Sequence, residues 1–277
     1  MTAESSQGNA VPEPAAARSE TAGPSTDKER AGRRRLAILA TSTWLVSYAL
    51  TLAIFSDSLF ILGIPGIIGL VTATVMTAVG WMYKSVNAVP YATDCTDPRG
   101  ALRYHRLVVT RRFVLLVLVA GALGAVPLIT EISYFFPLIV VGMMSLVVAA
   151  IVLVQQLTWL RHCSRALKTY DAEFRTPVEK LGRQSGGKRI LRLSEGEQAS
   201  PKMSARQPLG LEWPEAIHDG VWFAGDDMFG GALLVPGSGE LVLVQPLEWA
   251  ALSAQRGRVE AARQQAAEHA GFHRKLI

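Results

Sequence analysis

Four stretches of this chain run for about twenty residues without one Asp, Glu, Lys, Arg or His: 36–55, 59–82, 113–130 and 137–160. Each is long enough to cross a hydrocarbon layer roughly 30 Å thick as an α-helix. Inside such a layer no water is available, so every backbone N–H and C=O must be satisfied within the segment, which a helix does. A long polar stretch precedes the first run and no small-residue cleavage pattern closes it, so it reads as a retained span rather than a cleaved leader. The expected fold is an all-α four-helix transmembrane bundle of two hairpins.

The flanking cations predict its orientation. Lys28, Arg30, Arg33, Arg34 and Arg35 precede the first run, and only Ser56-Asp57-Ser58 separates it from the second. Lys84, Arg99, Arg103, Arg106, Arg111 and Arg112 lie between the second and third runs. The link 131–136 has no cation, and Arg161, Arg165 and Lys168 follow the fourth run. Basic and bare segments alternate throughout. Both termini are therefore expected in the cytoplasm, in a multi-pass protein of the cell (inner) membrane. Arg33, Arg34, Arg35, Arg111, Arg112 and Arg161 mark the membrane edge. This placement also accounts for the net charge of +5, because cations at these edges meet anionic headgroups. No basic patch is interleaved with aromatic residues, so nucleic acid is not an expected partner.

Outside the spans the chain changes character. Residues 1–33 contain no aromatic residue and are rich in Ala, Ser, Glu, Pro and Gly, which predicts a disordered tail. In the inner loop, ALRYHRLVVTRR from Ala101 reads as a linker or as an amphipathic segment whose Arg103, Tyr104, His105 and Arg106 meet headgroups. A linker helix is expected over 164–182, interrupted near Thr176 by Pro177. Residues 188–270 read as a small cytoplasmic α+β module with an antiparallel sheet of three to five strands. Its strand signals are KRILRLS, a segment near Met203, GVWFAGD, GALLVP and ELVLVQP. A tight hairpin sits at Gly237-Ser238-Gly239. One closing helix is expected from Leu247 to about Ala270, with Trp249, Leu252 and Val259 on its apolar side.

Within the spans, Gly63, Gly66 and Gly69 recur every third residue, and Ala120 and Gly124 form a small-xxx-small pair; both patterns suit close helix packing. Pro65 and Pro127 are candidate kinks. Arg clusters open both hairpins and Trp plus a cation closes both. A duplicated two-helix unit would look like this, and so would any two hairpins that start and end on the basic side.

Candidate chemistry is sparse. The spans carry hydroxyls (Ser42, Thr43, Ser47, Thr51, Thr72, Thr74, Thr77 and Ser145) but no ionisable group, and proton- or ion-coupled transport normally uses one. There is no G-x-S-x-G, Walker A, H-E-x-x-H or C-x-x-C motif. Asp94, Cys95, Asp97 and His105 lack zinc-type spacing, and His269 and His273 stand four apart without a third ligand. No metal or other cofactor is expected. Cys95 and Cys163 both fall on the reducing side and read as free thiols. The remaining candidate is FAGDDMFGG, residues 223–231. Its adjacent Asp226 and Asp227 could serve a divalent metal with Glu215, Asp219 or Glu240. Asp and Gly between two strands also make a turn, which is the reading preferred here. Trp222, Asp226, Asp227, Met228 and Phe229 are then candidate partner-binding residues.

The segments GVWFAGD and VPGSGEL, within 212–249, resemble the tails of multi-pass integral membrane proteins of unknown function from high-GC, Streptomyces-like actinobacteria. The similarity extends over the last two spans and the tail. It implies a membrane location and carries no activity with it. The functional expectation is a non-enzymatic scaffold or accessory subunit that presents its module to a protein partner or to copies of itself. The alternative is a small-solute or lipid transport component acting as an oligomer, and a membrane enzyme using the Asp pair ranks below both.

Overall fold

The structure, a computed structural model, describes residues 25–55, 60–84, 95, 97–183, 189–193, 200–210 and 213–276. The chain divides into two compact units, Met1–Ser42 and Thr43–Ile277. The described part of the first unit is helical. It belongs to α1 (Ser25–Thr51), which is followed by a 3-10 turn, Leu52–Phe55. The tail expected to be disordered is thus helical from Ser25 onward. Lys28, Glu29, Arg30 and Ala31 are good helix formers, and a helix extends readily from an existing one. Residues 1–24 lie outside the described residues.

Three more long helices follow: α2 (Phe60–Met82), α3 (Pro98–Thr130) and α4 (Phe136–Thr169). All four are long and apolar enough to cross a membrane. Large apolar side chains are exposed along them in a way water would not tolerate. Among the described residues, all exposed large hydrophobics except Phe174 and Leu181 lie between Ile38 and Val154. Such a surface suits hydrocarbon. The packed faces carry different residues. On α4 the buried positions Val141, Gly142, Ser145, Ala149, Val152, Gln156, Leu160, Cys163 and Ala166 recur every three or four residues and form one stripe against α2 and α3.

Small residues set the approach, as the glycine spacing predicts. A Cβ on Gly66 would lie 2.4 Å from the backbone nitrogen of Thr51, and one on Gly142 would lie 2.8 Å from the carbonyl oxygen of Ala120. Gly124, the second member of its expected pair, faces open space. Two buried hydroxyls bond back into their own helices. Thr51 donates to the Ser47 carbonyl at 2.8 Å and Ser145 to that of Val141 at 2.7 Å.

Among the described residues after α4, seven strands form one antiparallel sheet. Its strands are β1 (Glu173–Arg175), β2 (Val178–Arg183), β3 (Arg189–Leu193), β4 (Met203–Arg206), β5 (Val221–Asp226), β6 (Gly230–Leu234) and β7 (Leu241–Pro246). The order across the sheet is β1-β5-β6-β7-β4-β3-β2. Residues alternate between faces along a strand, and here they alternate between two cores. Leu191, Leu193, Met203, Phe223, Leu233, Val242 and Val244 fill the core on one face. Ala232, Leu234, Leu241 and Leu243 enter a second core together with Leu102 and Val109 of α3, Leu160, Cys163 and Ala166 of α4, and Phe272. The unbroken apolar runs of β6 and β7 follow from this, because those strands are covered on both faces. On β3 only one face is covered, and buried and half-buried residues alternate.

Four expectations are corrected. The linker helix over 164–182 ends at Thr169, and β1 and β2 follow, since Glu173 pairs with Phe223 and Val178 with Leu193. The sheet has seven strands rather than three to five, and the module begins at Glu173 rather than 188. The segment from Ala101 is neither a linker nor a separate surface helix. It is continuous with α3, whose N-terminus is capped by the Asp97 side chain accepting from the Gly100 N–H at 3.0 Å. The closing helix is two pieces, α5 (Ser253–Arg256) and α6 (Ala261–Ala270). The Gln264 amide donates to the carbonyls of Arg256 and Val259 at 3.0 Å, which ties the break between them.

Candidate functional site

Asp226 ends β5 and starts the turn into β6. Its carbonyl accepts from the Phe229 N–H at 3.2 Å, and its carboxylate Oδ1 accepts from the Met228 N–H at 2.8 Å. An aspartate bonding two residues ahead in this way is a turn-forming arrangement. The other oxygen, Oδ2, accepts from Nε of Arg263 on α6 at 2.7 Å, and a second guanidinium nitrogen lies at the same distance. Asp226 is buried, so this charge is held in a site of low polarity by a forked partner. The Asp226 charge also reaches Tyr170. Burial first, and then that charge, push the Tyr170 hydroxyl up to about 12.

Asp227 turns the opposite way. Its Oδ1 accepts from Arg175 of β1 at 2.7 Å, and the Arg175 guanidinium lies 4.4 Å from the centre of the Phe223 ring. The two carboxylates therefore diverge toward different cations on different elements. Among the described residues no three His, Cys, Asp or Glu side chains gather in metal-holding range. Of the additional ligands the sequence offers, Asp219 is exposed in the 3-10 turn Glu215–Asp219 and Glu240 is buried beside the β6–β7 hairpin. The side chain of Glu215 lies outside what is described. Asp226 and Asp227 act here as a turn stapled at both sides.

The aromatic neighbours separate as well. Phe229 is buried in the core shared with the helices, and Met228 and Trp222 pack half-buried against it. The Trp222 ring meets Phe174 edge-on at 5.2 Å between centroids, and Phe174 is 47% exposed. Phe174 lies on β1, at the edge of the sheet. Of the candidate partner-binding residues, Trp222 alone thus joins an exposed aromatic pair, and its companion lies in the segment where the sequence pattern predicts a helix.

The edge-marking arginines also take separate roles. Arg111 and Arg161 are exposed. Arg112 donates to the carbonyls of Met82, at 3.1 Å, and Lys84, closing the end of α2. Arg33, Arg34 and Arg35 are in α1, and their side chains lie outside what is described.

Polar contacts that the sequence does not foretell join the helix ends to one another and to the sheet. His105 of α3, buried, donates from Nε2 to the Gly239 carbonyl of the β6–β7 hairpin at 2.9 Å. The Tyr83 carbonyl accepts from the Gly210 N–H at 2.9 Å, and Gln156 of α4 donates to the Met82 carbonyl at 3.1 Å. The Arg206 guanidinium of β4 lies 5.6 Å from the Trp159 ring centre. The signal for this seam was the polar pair Gln155-Gln156 inside the fourth apolar run, which otherwise has no reason to interrupt itself there. Cys163 is buried in the same core, and neither it nor Cys95 is in a disulfide.

In the upper part of the helices a groove of about 200 Å³ is lined by Thr51, Ile54, Phe55, Leu70, Val71 and Val140, with Ile67, Phe136 and Pro137 completing it. Its one hydroxyl, on Thr51, is already bonded to a carbonyl. The groove is apolar, unlike the threonine-lined path that a solute would need.

No protein-family model, curated protein or solved structure matches the chain.

Proposed function

We infer that this is a multi-pass protein of the cell (inner) membrane, with both termini cytoplasmic, that serves as a scaffold or accessory subunit and presents its sheet to a protein partner. The observation that carries this reading is the continuous core joining α3, α4 and α6 to β6 and β7. A sheet fixed in this way holds a constant position at the membrane surface, as a docking platform requires and a flexibly tethered module would not provide. The residues that offered chemistry are committed to structural bonds: Asp226 to Arg263, Asp227 to Arg175 and His105 to the hairpin. The exposed Phe174, beside Trp222 on an edge strand, is the surface best suited to receive a partner strand or side chain.

A photo-crosslinking residue placed at 174 of the full chain, expressed in its membrane, tests the proposal. One discrete adduct is expected there and not at an exposed position such as 202. Equal labelling at both positions, or none at 174, would reject it.

A further inference from the structure

The sheet-side ends of α3 and α4 enclose a second feature. Arg99, Arg103 and Arg106 follow one another at intervals of four and three on α3, on one face of the helix. They line a cleft against Ser164 and Lys168 of α4, with buried Leu102 at its floor. The cleft has a volume of about 340 Å³, and a continuation past Pro98 and Leu167 adds a lobe of about 410 Å³. These volumes fall within the range of small-ligand sites.

Four cations therefore converge on one concavity, and among the described residues none of the four forms an ion pair. Like charges three and four residues apart on a helix repel, so the arrangement opposes the helix that carries it. The nearest carboxylate in sequence, Asp97, is occupied in capping the helix start. Arg112, by contrast, spends its guanidinium on the carbonyls that close α2. The cleft arginines have no such structural duty.

We propose that this cleft binds a phosphate-bearing anion, gripped by Arg99, Arg103 and Arg106 from α3 and by Lys168 and the Ser164 hydroxyl from α4. Guanidinium forks match phosphate oxygens in pairs, and a lysine adds a point charge. Depth narrows the source. At 1.5 Å per residue, Arg106 lies about 10 Å and Arg99 about 20 Å along the helix from Phe113, where the uncharged run of α3 starts. The headgroup layer is only about 5–8 Å thick on each side. The mouth near Arg106 is within reach of a lipid phosphate on an extended headgroup, and the Arg99 end opens to the aqueous phase.

The test uses the full chain in mild detergent, with two probes. Inorganic pyrophosphate, followed by thermal shift at physiological salt, reports the soluble source. Nanodiscs with and without phosphatidylglycerol, followed by native mass spectrometry of retained lipid, report the lipid source. Binding of either probe by the native chain is expected, weakened about tenfold or more in an Arg103→Gln, Lys168→Gln double variant. A Lys202→Gln control removes an exposed cation beside β4 of the sheet, away from both the cleft and the membrane edge, and is expected to bind as the native chain does. The proposal is overturned by absence of binding with both probes, or by equal loss in the control and the cleft variant. Because all three substituted side chains are exposed, unfolding is not expected, and an unchanged melting temperature without ligand verifies it.

Discussion

The spans and the sheet are built from the same apolar residues turned in opposite directions. Between Ile38 and Val154 the helices expose Ile61, Leu128 and Ile129 at 70–80%, and they bury glycine, alanine and hydroxyl residues against one another. In the sheet, Leu233, Leu234, Leu243 and Val244 are fully buried. The difference is one of solvent. Where the surroundings are hydrocarbon, burying a leucine gains little, so helices associate by close packing and bonding of small and polar groups. Where the surroundings are water, each buried apolar side chain contributes about 1.5–3 kcal/mol, and the sheet is stabilised that way. The shared core of α3, α4, β6, β7 and α6 is where one regime passes into the other.

This contrast can be broken by matched substitutions. The largest effect is expected for Leu243→Ala, which empties space in the shared core and should cost about 2–5 kcal/mol. Leu128→Ala, at a position 71% exposed in α3, should stay within about 0.5 kcal/mol. Denaturant unfolding in detergent measures both, and comparable losses would remove the distinction between the two regions. Next comes Gly66→Leu. Its side chain meets the backbone of Thr51, and overpacking of this kind costs about 1–3 kcal/mol, read as a lowered melting temperature. Placing the same residue at Gly80, where a Cβ meets open space, should be tolerated.

The Asp pair gives a finer comparison within the sheet. Arg263→Gln leaves the Asp226 carboxylate buried without its cation, which should cost about 1–3 kcal/mol. Asp227→Asn weakens a pair at the surface, whose side chains are 20% and 35% exposed, and should cost about 0–1 kcal/mol. Thermal unfolding of the two variants side by side gives the ranking. The reverse ranking would mean that the turn is held from β1 rather than from α6.

Much of the fold was legible along the chain. Residues 36–55, 59–82, 113–130 and 137–160 are uncharged, and the described residues of each are helical. Strands β3, β4, β5, β6 and β7 fall where alternation or continuous apolar runs place them, and Gly237 and Gly239 adopt positive φ in the expected hairpin. Strands β1 and β2 were not legible. Three residues of β1 carry almost no period, and its conformation comes from pairing with β5, nearly fifty residues further on. The stretch from Ala101 misled in another way. Its buried positions Leu102, His105 and Val109 do form one face, but the cover over that face is a hairpin of the sheet instead of lipid. At the candidate site the turn was legible from Asp and Gly, whereas the cations that claim each carboxylate were not, because Arg175 and Arg263 lie 52 and 37 residues away.

The sequence by itself determined where the chain is apolar over a helical length and where it alternates, since both patterns are written in neighbouring residues. Only the tertiary structure decided that Asp226 and Asp227 point apart and that Phe229 is core while Phe174 is surface. It also decided that three arginines of α3 share a cleft with Lys168. Each of these depends on which distant element arrives opposite. Local periodicity says which face of a helix or strand will be covered, but the covering element is chosen by contacts between residues far apart in the chain.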